Sequence, residues 1–492
     1  VNVYGVTIPG APSVLIGFNQ KIAWGMTSGG DDVTDWYQIK FRDDTLNEYF
    51  HDDTWKPTTR ITEEIKVRGE KKIQDTVVYT HHGPIPLYSD EETFDGNIPR
   101  LHAMRWLGHD PSNEFLTFYW LNRAQDYQDY VAALSHYSCP AQNFVFADTA
   151  GDVAIWHNGK FPLRFQRQAR FINDGANPEH DWQKWVPHQH NPHIKNPDRG
   201  FVSSANQNPT NSDYPYYLGW FFPQYRGKRI NQQMLEMDSI IPDDFRLLQL
   251  DNQNLQASLI IPSLLRFVDI DRLTLEETQA FKKISTWDYV NDANQIAPTV
   301  FDIWQKRLHA AIWSDEFGGN GSYRFPSSAR TIQLIMDEPN APWFDNIHTE
   351  NKESLQQLVN SSFKDTVTEL TKQLGEMGNQ WRWGKFKGVD IAHLGRLPGF
   401  GKMGLNVGGG LGIVNAIGKT SGPSWRMIVS LEPEVKAWGV YPGGQSGNPG
   451  SSYYDNFVDA WMEGELDELL FLKSMDTTHY RIQSVIILEA GK

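Results

Sequence analysis

The sequence predicts a mixed α+β fold, on three observations. Residues 1 to about 80 alternate apolar and polar positions in short runs separated by turn residues, which is the period of strands. From residue 229 to about 375 the period becomes helical, and from residue 425 strand-like runs return. At 492 residues the chain is long enough to bury a large core, in one large domain or two closely joined ones.

Taken in order, the stretch from Ile22 reads as a strand that breaks at the small-residue corner Ser28-Gly29-Gly30. It throws out an acidic loop carrying Asp31, Asp32 and Asp35, then resumes as a second strand through Trp36 and Tyr37. A hairpin is expected from residues 61–67 and 72–80, turning at Arg68-Gly69-Glu70 and closed by Thr80-His81-His82-Gly83-Pro84-Ile85. A helix at 125–137 precedes a second hairpin, 143–148 against 153–157, with Thr149-Ala150-Gly151 at the turn. Residues 158–226 are rich in Pro, Asn, Trp and His and read as long surface loops of the functional kind. Helices follow at 230–237, 243–250, 260–268, 275–287, 300–313, 329–336 and 353–374, several opened by Ser, Thr, Asp or Pro. The end reads as strands at 425–431 and 437–441, a short helix at 455–463 and a last strand at 480–488. The expected organisation is thus a sheet-rich core over 1–228, a mainly helical subdomain over 229–380 and strands returning to the core over 381–492. No internal repeat or low-complexity tract interrupts it.

A net charge of -15 with no dense Lys/Arg cluster argues against a nucleic-acid surface. No run approaches the ~20 apolar residues of a membrane helix, and no signal-like segment opens the chain. Cys139 is the single cysteine, so no internal disulfide and no cysteine-based metal site forms. Beside Pro140, with no electropositive neighbour, it reads as a packed small residue rather than a nucleophile. Eighteen Trp and 13% aromatic residues point to flat packing or to a pocket for an apolar or sugar-like ligand.

The common catalytic motifs fail on spacing. Gly408-Gly409-Gly410-Leu411-Gly412 lacks the dinucleotide-loop pattern and no Walker-type Lys follows it. Gly444-Gln445-Ser446-Gly447-Asn448 is one residue short of a nucleophile elbow. His188, His190 and His193 are candidate metal ligands, in a Pro/Asn-rich loop with no helical face to align them. Ser28-Gly29-Gly30 is the better corner: its backbone N–H groups are unobstructed and suit a developing oxyanion. The three aspartates after it suit a hard cation, with a solvated polar hairpin loop as the alternative.

Gly5-Val6-Thr7-Ile8-Pro9-Gly10-Ala11-Pro12-Ser13-Val14-Leu15-Ile16-Gly17-Phe18-Asn19-Gln20-Lys21 leads directly into Ile22-Ala23-Trp24-Gly25. This ordered succession of a turn, a hairpin and a strand resembles the penicillin acylase family of N-terminal-nucleophile amidohydrolases. The resemblance extends to Ile230 and reappears at Tyr441-Pro442-Gly443-Gly444-Gln445-Ser446-Gly447-Asn448-Pro449-Gly450-Ser451 and Tyr454-Asp455. It implies an α+β fold, the four-layer αββα sandwich of N-terminal-nucleophile hydrolase type with a helical insertion. It also implies hydrolysis of the linear amide of an N-acyl compound, such as a β-lactam side chain or an acyl-homoserine lactone.

By residue-for-residue match, the resemblance makes the backbone N–H of Ser28 and the side chain of Asn206, within Gly200-Phe201-Val202-Ser203-Ser204-Ala205-Asn206, the oxyanion hole. Arg229, within Tyr225-Arg226-Gly227-Lys228-Arg229-Ile230, would orient the asparagine and substrate. Ile16, Met26 and Gln142 would line a mostly apolar acyl pocket. Asp32, the carbonyl of Thr34, Asp35 and the carbonyl of Ala169 match ligands of a structural Ca2+, while a further family aspartate falls on Leu218, with Asp213 as its substitute. The plainer alternatives are a turn-forming Asn206, a solvated Arg229, and Ile16 and Met26 as core. The family's nucleophile is an N-terminal Ser, Thr or Cys whose own α-amine is the base. Val1 has neither hydroxyl nor thiol, so the expected nucleophile lies upstream, on an α chain or N-terminal segment of the same precursor, and this chain alone is expected to be inactive. A periplasmic or secreted bacterial location accompanies that reading. The rival classes are a non-catalytic ligand-binding or structural relative, and a carbohydrate-active enzyme drawing on Asp31, Asp32 or Asp35, which would need two carboxyls facing each other.

Overall fold

The computed structural model describes residues 1–87, 98–219, 221, 223–318, 324–474 and 478–489. The chain divides into two units, 1–222 and 223–492.

The first unit is built on strands β1 (Val3–Val6), β2 (Ile16–Asn19), β3 (Ile22–Ser28), β4 (Thr34–Gln38), β5 (Glu48–His51), β6 (Thr54–Pro57), β7 (Thr59–Ile65), β8 (Ile73–Thr80), β9 (Gly83–Ile85) and β10 (His102–Trp106). Helices α1 (Glu114–Leu121) and α2 (Tyr127–Leu134) follow, then β11 (Gln142–Asp148), β12 (Val153–Asn158), β13 (Asn173–Asp174) and β14 (His193–Lys195). Six strands form the main sheet in the order β1-β2-β3-β11-β12-β14. Strand alternation puts Ile22, Trp24 and Met26 of β3 on one face with Phe144 and Phe146 of β11. That face is closed by Phe118 and Leu121 of α1 and Tyr130 and Leu134 of α2. Each such side chain contributes roughly 1.5–3 kcal/mol on burial, and Asp126 caps α2 by accepting from the Asp129 N–H. Smaller sheets β10-β4-β13, β5-β6 and β7-β8-β9 complete the unit.

The second unit carries α3 (Tyr225–Glu236), α4 (Pro242–Gln249), α5 (Leu255–Leu265), α6 (Leu275–Ser285), α7 (Ala297–Phe317), α8 (Ser328–Asp337), α9 (Leu355–Leu374) and α10 (Trp383–Lys387). Its core is the apolar stripe of these helices, with Phe301, Trp304, Phe363 and Trp381 among the buried side chains. Thr274 with Glu277 and Ser354 with Gln357 make capping boxes that fix where α6 and α9 begin. Strands β15 (Val389–Ile391), β16 (Lys402–Leu405), β17 (Arg426–Ser430), β18 (Lys436–Val440) and β19 (Asp467–Glu468) follow, with α11 (Val458–Glu463) before the last.

The structure departs from the expectation in several elements: β13 and β14 form within the stretch read as loops, α10, β15 and β16 were not expected, and two further cases have a clear cause. Helix α1 was hidden because Glu-Phe-Leu-Thr-Phe-Tyr-Trp-Leu is apolar almost all round and shows no helical stripe. The strand expected at 480–488 is absent from that segment: Ile486, Ile487 and Leu488 are more than three-quarters exposed, and β18 pairs with β19 instead. An apolar run becomes a strand only where a ladder receives its backbone. Among the described residues, no helix is long and apolar enough to cross a membrane.

Candidate active site

Strand β3 ends at the corner the sequence singled out. The Gly29 N–H donates to the Ala141 carbonyl at 2.8 Å, continuing the antiparallel pairing of Ser28 with Gln142. Bonded and non-bonded pairs alternate in such a ladder, so the N–H and C=O of Ser28 point away from β11. On that side β2 pairs with β3 only at Ala23 and Trp24, and no β2 residue stands opposite Ser28. The Asn206 Nδ2 donates to the Ser28 carbonyl at 2.9 Å, with Asn206 at φ 65°, a left-handed conformation that asparagine tolerates. The structure therefore brings Ser28 and Asn206 together. Gly29 is required here, since a Cβ would stand 2.3 Å from Asp31 Oδ2 and 2.9 Å from the Ala141 backbone.

Behind the corner runs a polar network that the sequence reading missed. Asn143 Nδ2 donates to Thr27 Oγ1 and to the Ser28 carbonyl, both at 3.2 Å. Asn143 Oδ1 accepts from His157 Nδ1 at 2.7 Å, and His157 Nε2 donates to Asp31 Oδ1 at 2.8 Å. Thr27 Oγ1 meets Ser204 Oγ at 2.6 Å. His157 and Asp31 are sealed, with side chains 1% and 0% exposed. The available signal was register: Thr27, Asn143 and His157 are cross-strand neighbours, so three polar residues share one face of strands that are otherwise apolar.

The acidic loop is organised around a residue that no sequence motif marked. Arg164, 2% exposed, places Nε 2.9 Å from Asp35 Oδ2 and NH2 3.6 Å from Asp32 Oδ1. Its NH1 donates to the Asp32 carbonyl at 2.7 Å. Trp182 Nε1 donates to the same Asp35 oxygen at 2.5 Å. Thr34 opens β4, and its N–H donates to Asp32 Oδ1 at 3.2 Å. Ala169 lies in a short 3-10 turn, Gln168–Arg170. Burial raises the carboxyl of Asp32 above its ordinary value, against the pull of Arg164. Leu218 is buried and offers its carbonyl to the Asp32 N–H at 2.8 Å, while Asp213 is exposed. A divalent ion among these oxygens would stand against a buried guanidinium already hydrogen-bonded to them, so this donor set does not fit Ca2+ as it stands.

The acyl-pocket candidates divide by register. Met26 and Gln142 lie on the helix-covered face, Gln142 opposite Ser28 and Met26 opposite Phe144. Ile16, at the start of β2, has the parity of Phe18 and so lies on the other face, with Thr27 and Asn143. Arg229 sits on α3 in the second unit, where Nε and NH2 grip Asp251 Oδ2 at 2.8 and 2.6 Å. His188, His190 and His193 do not form a metal site: His188 Nε2 bonds Asn158 Oδ1 at 2.8 Å, His190 Nδ1 bonds the Tyr216 hydroxyl at 2.8 Å, and His193 stacks on Trp156. Burial and Glu114 raise the Cys139 thiol above its ordinary value, consistent with an inert cysteine.

Comparison with known proteins gives this arrangement a context. A family profile described as "Penicillin amidase" matches residues 1–475. An acyl-homoserine lactone acylase, QuiP, from Pseudomonas syringae pv. syringae (strain B728a) is 25% identical over 504 residues, covering 95% of this chain and 60% of its own length. The penicillin acylase 2 proenzyme of Pseudomonas sp. (strain SE83) is 24% identical over 306 residues, covering 62% of this chain and 38% of its own. The chain thus spans about 60% of the length of the acyl-homoserine lactone acylase. A solved thermostable penicillin G acylase from Alcaligenes faecalis superposes with a TM-score of 0.73 at 16% identity, over 100% of this chain and 94% of that one, and shows the fold to be the expected α+β N-terminal-nucleophile hydrolase type. With the profile covering all but the last residues, the chain belongs to the penicillin amidase family.

Proposed function

We propose that this chain is the scaffold and oxyanion hole of an amidohydrolase that cleaves the linear amide of an N-acyl compound. The observation that carries the reading is the Ser28 corner: a backbone N–H on the open side of β3, with the Asn206 amide 2.9 Å from the carbonyl of the same residue. Two such donors stabilise the oxyanion of a tetrahedral intermediate, each worth roughly 3 kcal/mol. The nucleophile is an upstream serine outside this sequence. Its Oγ attacks the amide carbon while its own α-amine takes the proton, and collapse of the intermediate expels the protonated amine. Water then enters by the same route and releases the acid. The relatives' names point to acyl-homoserine lactones and penicillins as the substrate classes to try first. Met26 and Gln142, diagonal neighbours on one face, are the pair we take to contact the acyl chain. Arg229 is carried over as a positioning residue, and the cation position of the acidic loop is assigned to Arg164 rather than to Ca2+.

The reading includes a precursor that cleaves itself and an export route to the periplasm or medium. It is tested by expressing the complete reading frame, measuring the mass and N-terminal sequence of the products in each cell fraction, and assaying chromogenic N-acyl amides. A new N-terminal Ser, Thr or Cys upstream of Val1 together with amide turnover is the expected result. An uncleaved, inactive product would leave a non-catalytic relative in its place.

A further inference from the structure

Outside the corner just described, three histidines and an aspartate converge in the first unit. His51 ends β5, His81 and His82 form the turn between β8 and β9, and Asp181 lies in the loop after β13. His51 Nε2, His81 Nε2, His82 Nδ1 and a carboxylate oxygen of Asp181 all lie within 4.8 Å of one another. The N···O distances to Asp181 are 3.4, 3.4 and 3.6 Å, longer than the ~2.7–3.2 Å of a hydrogen bond. His51 and His81 face Oδ2 and His82 faces Oδ1, at separations close to the ~3.3 Å between neighbouring ligand atoms on a metal with bonds of about 2.0–2.1 Å.

The partners on the far sides of the rings fix the tautomers. His51 Nδ1 and His82 Nε2 face the same acceptor, the Gly175 carbonyl, at 3.0 and 3.2 Å, so each must carry its proton there. His81 Nδ1 lies 2.9 Å from the Tyr49 hydroxyl. The second ring nitrogens of His51 and His82 both face Asp181, whose Oδ1 is buried with no hydrogen-bond partner. Ring nitrogens and a carboxylate converging on one point make a donor set for a cation. A backbone carbonyl orienting two rings from behind is also the usual outer shell of histidine metal sites.

We propose that His51, His81, His82 and Asp181 form a closed, tetrahedral structural site for a divalent transition metal of the zinc class. Three imidazoles and one carboxylate suit a borderline ion. His81 and Asp181, with side chains 35% and 23% exposed, give the ion its way in. The site joins β5 and the β8–β9 turn to the loop that ends in Trp182, the donor to Asp35, so the metal braces the wall behind the acidic loop.

The test uses the complete protein, stripped with a chelator and titrated with Co2+, whose tetrahedral complexes absorb in the visible. We expect d–d bands that saturate at one equivalent and disappear on adding Zn2+, and a higher thermal midpoint with Zn2+. His81→Gln, at an accessible position, and Asp181→Asn, which keeps the shape, should each weaken the metal at least tenfold while keeping the far-UV spectrum. Absence of bands and of a thermal shift in the unaltered protein at tenfold excess metal overturns the proposal. So does unchanged affinity in both variants.

Discussion

Replacing Arg164 is the sharpest probe of the acidic loop. Arg164→Met keeps the length and apolar stem and deletes the guanidinium. It leaves Asp35, 3% exposed, with Trp182 Nε1 as its hydrogen-bond donor, and removes the NH1 bond to the Asp32 carbonyl. Breaking one side of a buried ion pair costs about 3–5 kcal/mol, because the remaining carboxylate stays desolvated. At about 2–4 °C per kcal/mol for a unit of 150–250 residues, the thermal midpoint should fall by roughly 6–20 °C. Asp35→Asn added to Arg164→Met removes the stranded charge and should recover a large part of that loss. Arg164→Ala, which also clears space, should acquire a response to Ca2+, regaining about 2.7 kcal/mol at a hundredfold excess over its Kd. The assay is thermal and urea unfolding of the parent and the three variants with and without millimolar CaCl2. Two results would refute the reasoning: a parent protein that itself gains stability from Ca2+, or an Arg164→Met that loses less than 1 kcal/mol.

Other consequences follow from the same geometry. His157→Leu leaves the fully buried Asp31 carboxylate unpaired and should destabilise by about 3–5 kcal/mol in urea unfolding, with Asp31→Asn in the same chain restoring part of it. Gly29→Ala forces a Cβ against Asp31 Oδ2 and the Ala141 backbone and should cost at least 1–3 kcal/mol, read from the unfolding midpoint. Asn206→Ala in the complete enzyme should lower kcat by about 10²–10³ with KM little changed, measured on any amide it turns over. Burial, with Asp315 beside it, raises the Glu316 carboxyl to about 7. The folded state then holds a proton that the unfolded state releases above its ordinary value of 4.5, so this contribution is complete below that pH and lost as pH rises through about 7. Discounted for partial exposure, Glu316→Gln should gain about 1 kcal/mol at pH 8 and nothing at pH 4, by the difference in urea midpoints.

What the sequence reveals about this molecule tracks how local each determinant is. The hairpin around Arg68-Gly69-Glu70 and the capped helices α6 and α9 are legible because turn chemistry, period and caps lie within a few residues. The Ser28-Gly29-Gly30 corner is legible for the same reason. Arg164 is not, because 129 residues separate it from Asp35 and only the folded loop brings them together. The positive charge beside the aspartates comes from a side chain that no spacing rule could pair with them. The His51, His81, His82 and Asp181 cluster was hidden likewise, its members drawn from three separate segments. Asn143 and His157 stand between these cases: the hairpin that aligns them is legible, and their shared face follows once its register is known.

The two networks hold a glycine-rich corner in place, as the donor role we propose for it requires. A loop with Gly29 and Gly30 in it loses much conformational entropy when fixed, so its geometry must be imposed from outside. On the side of β11 and β12, Asp31 is held by His157, which is itself held by Asn143, and Asn143 also reaches the Ser28 carbonyl. One and four residues further on, Asp32 is held by Arg164, and Asp35 by Arg164 and Trp182. The segment from Ser28 to Asp35 is therefore anchored at both ends, by His157 and Arg164, whose side chains are sealed from water. A donor held this way needs no reorganisation when charge develops opposite it, which is the condition for a large electrostatic effect on rate. Loosening either anchor should then appear in kcat with KM little changed, because substrate contacts elsewhere survive while the alignment of the Ser28 N–H is lost.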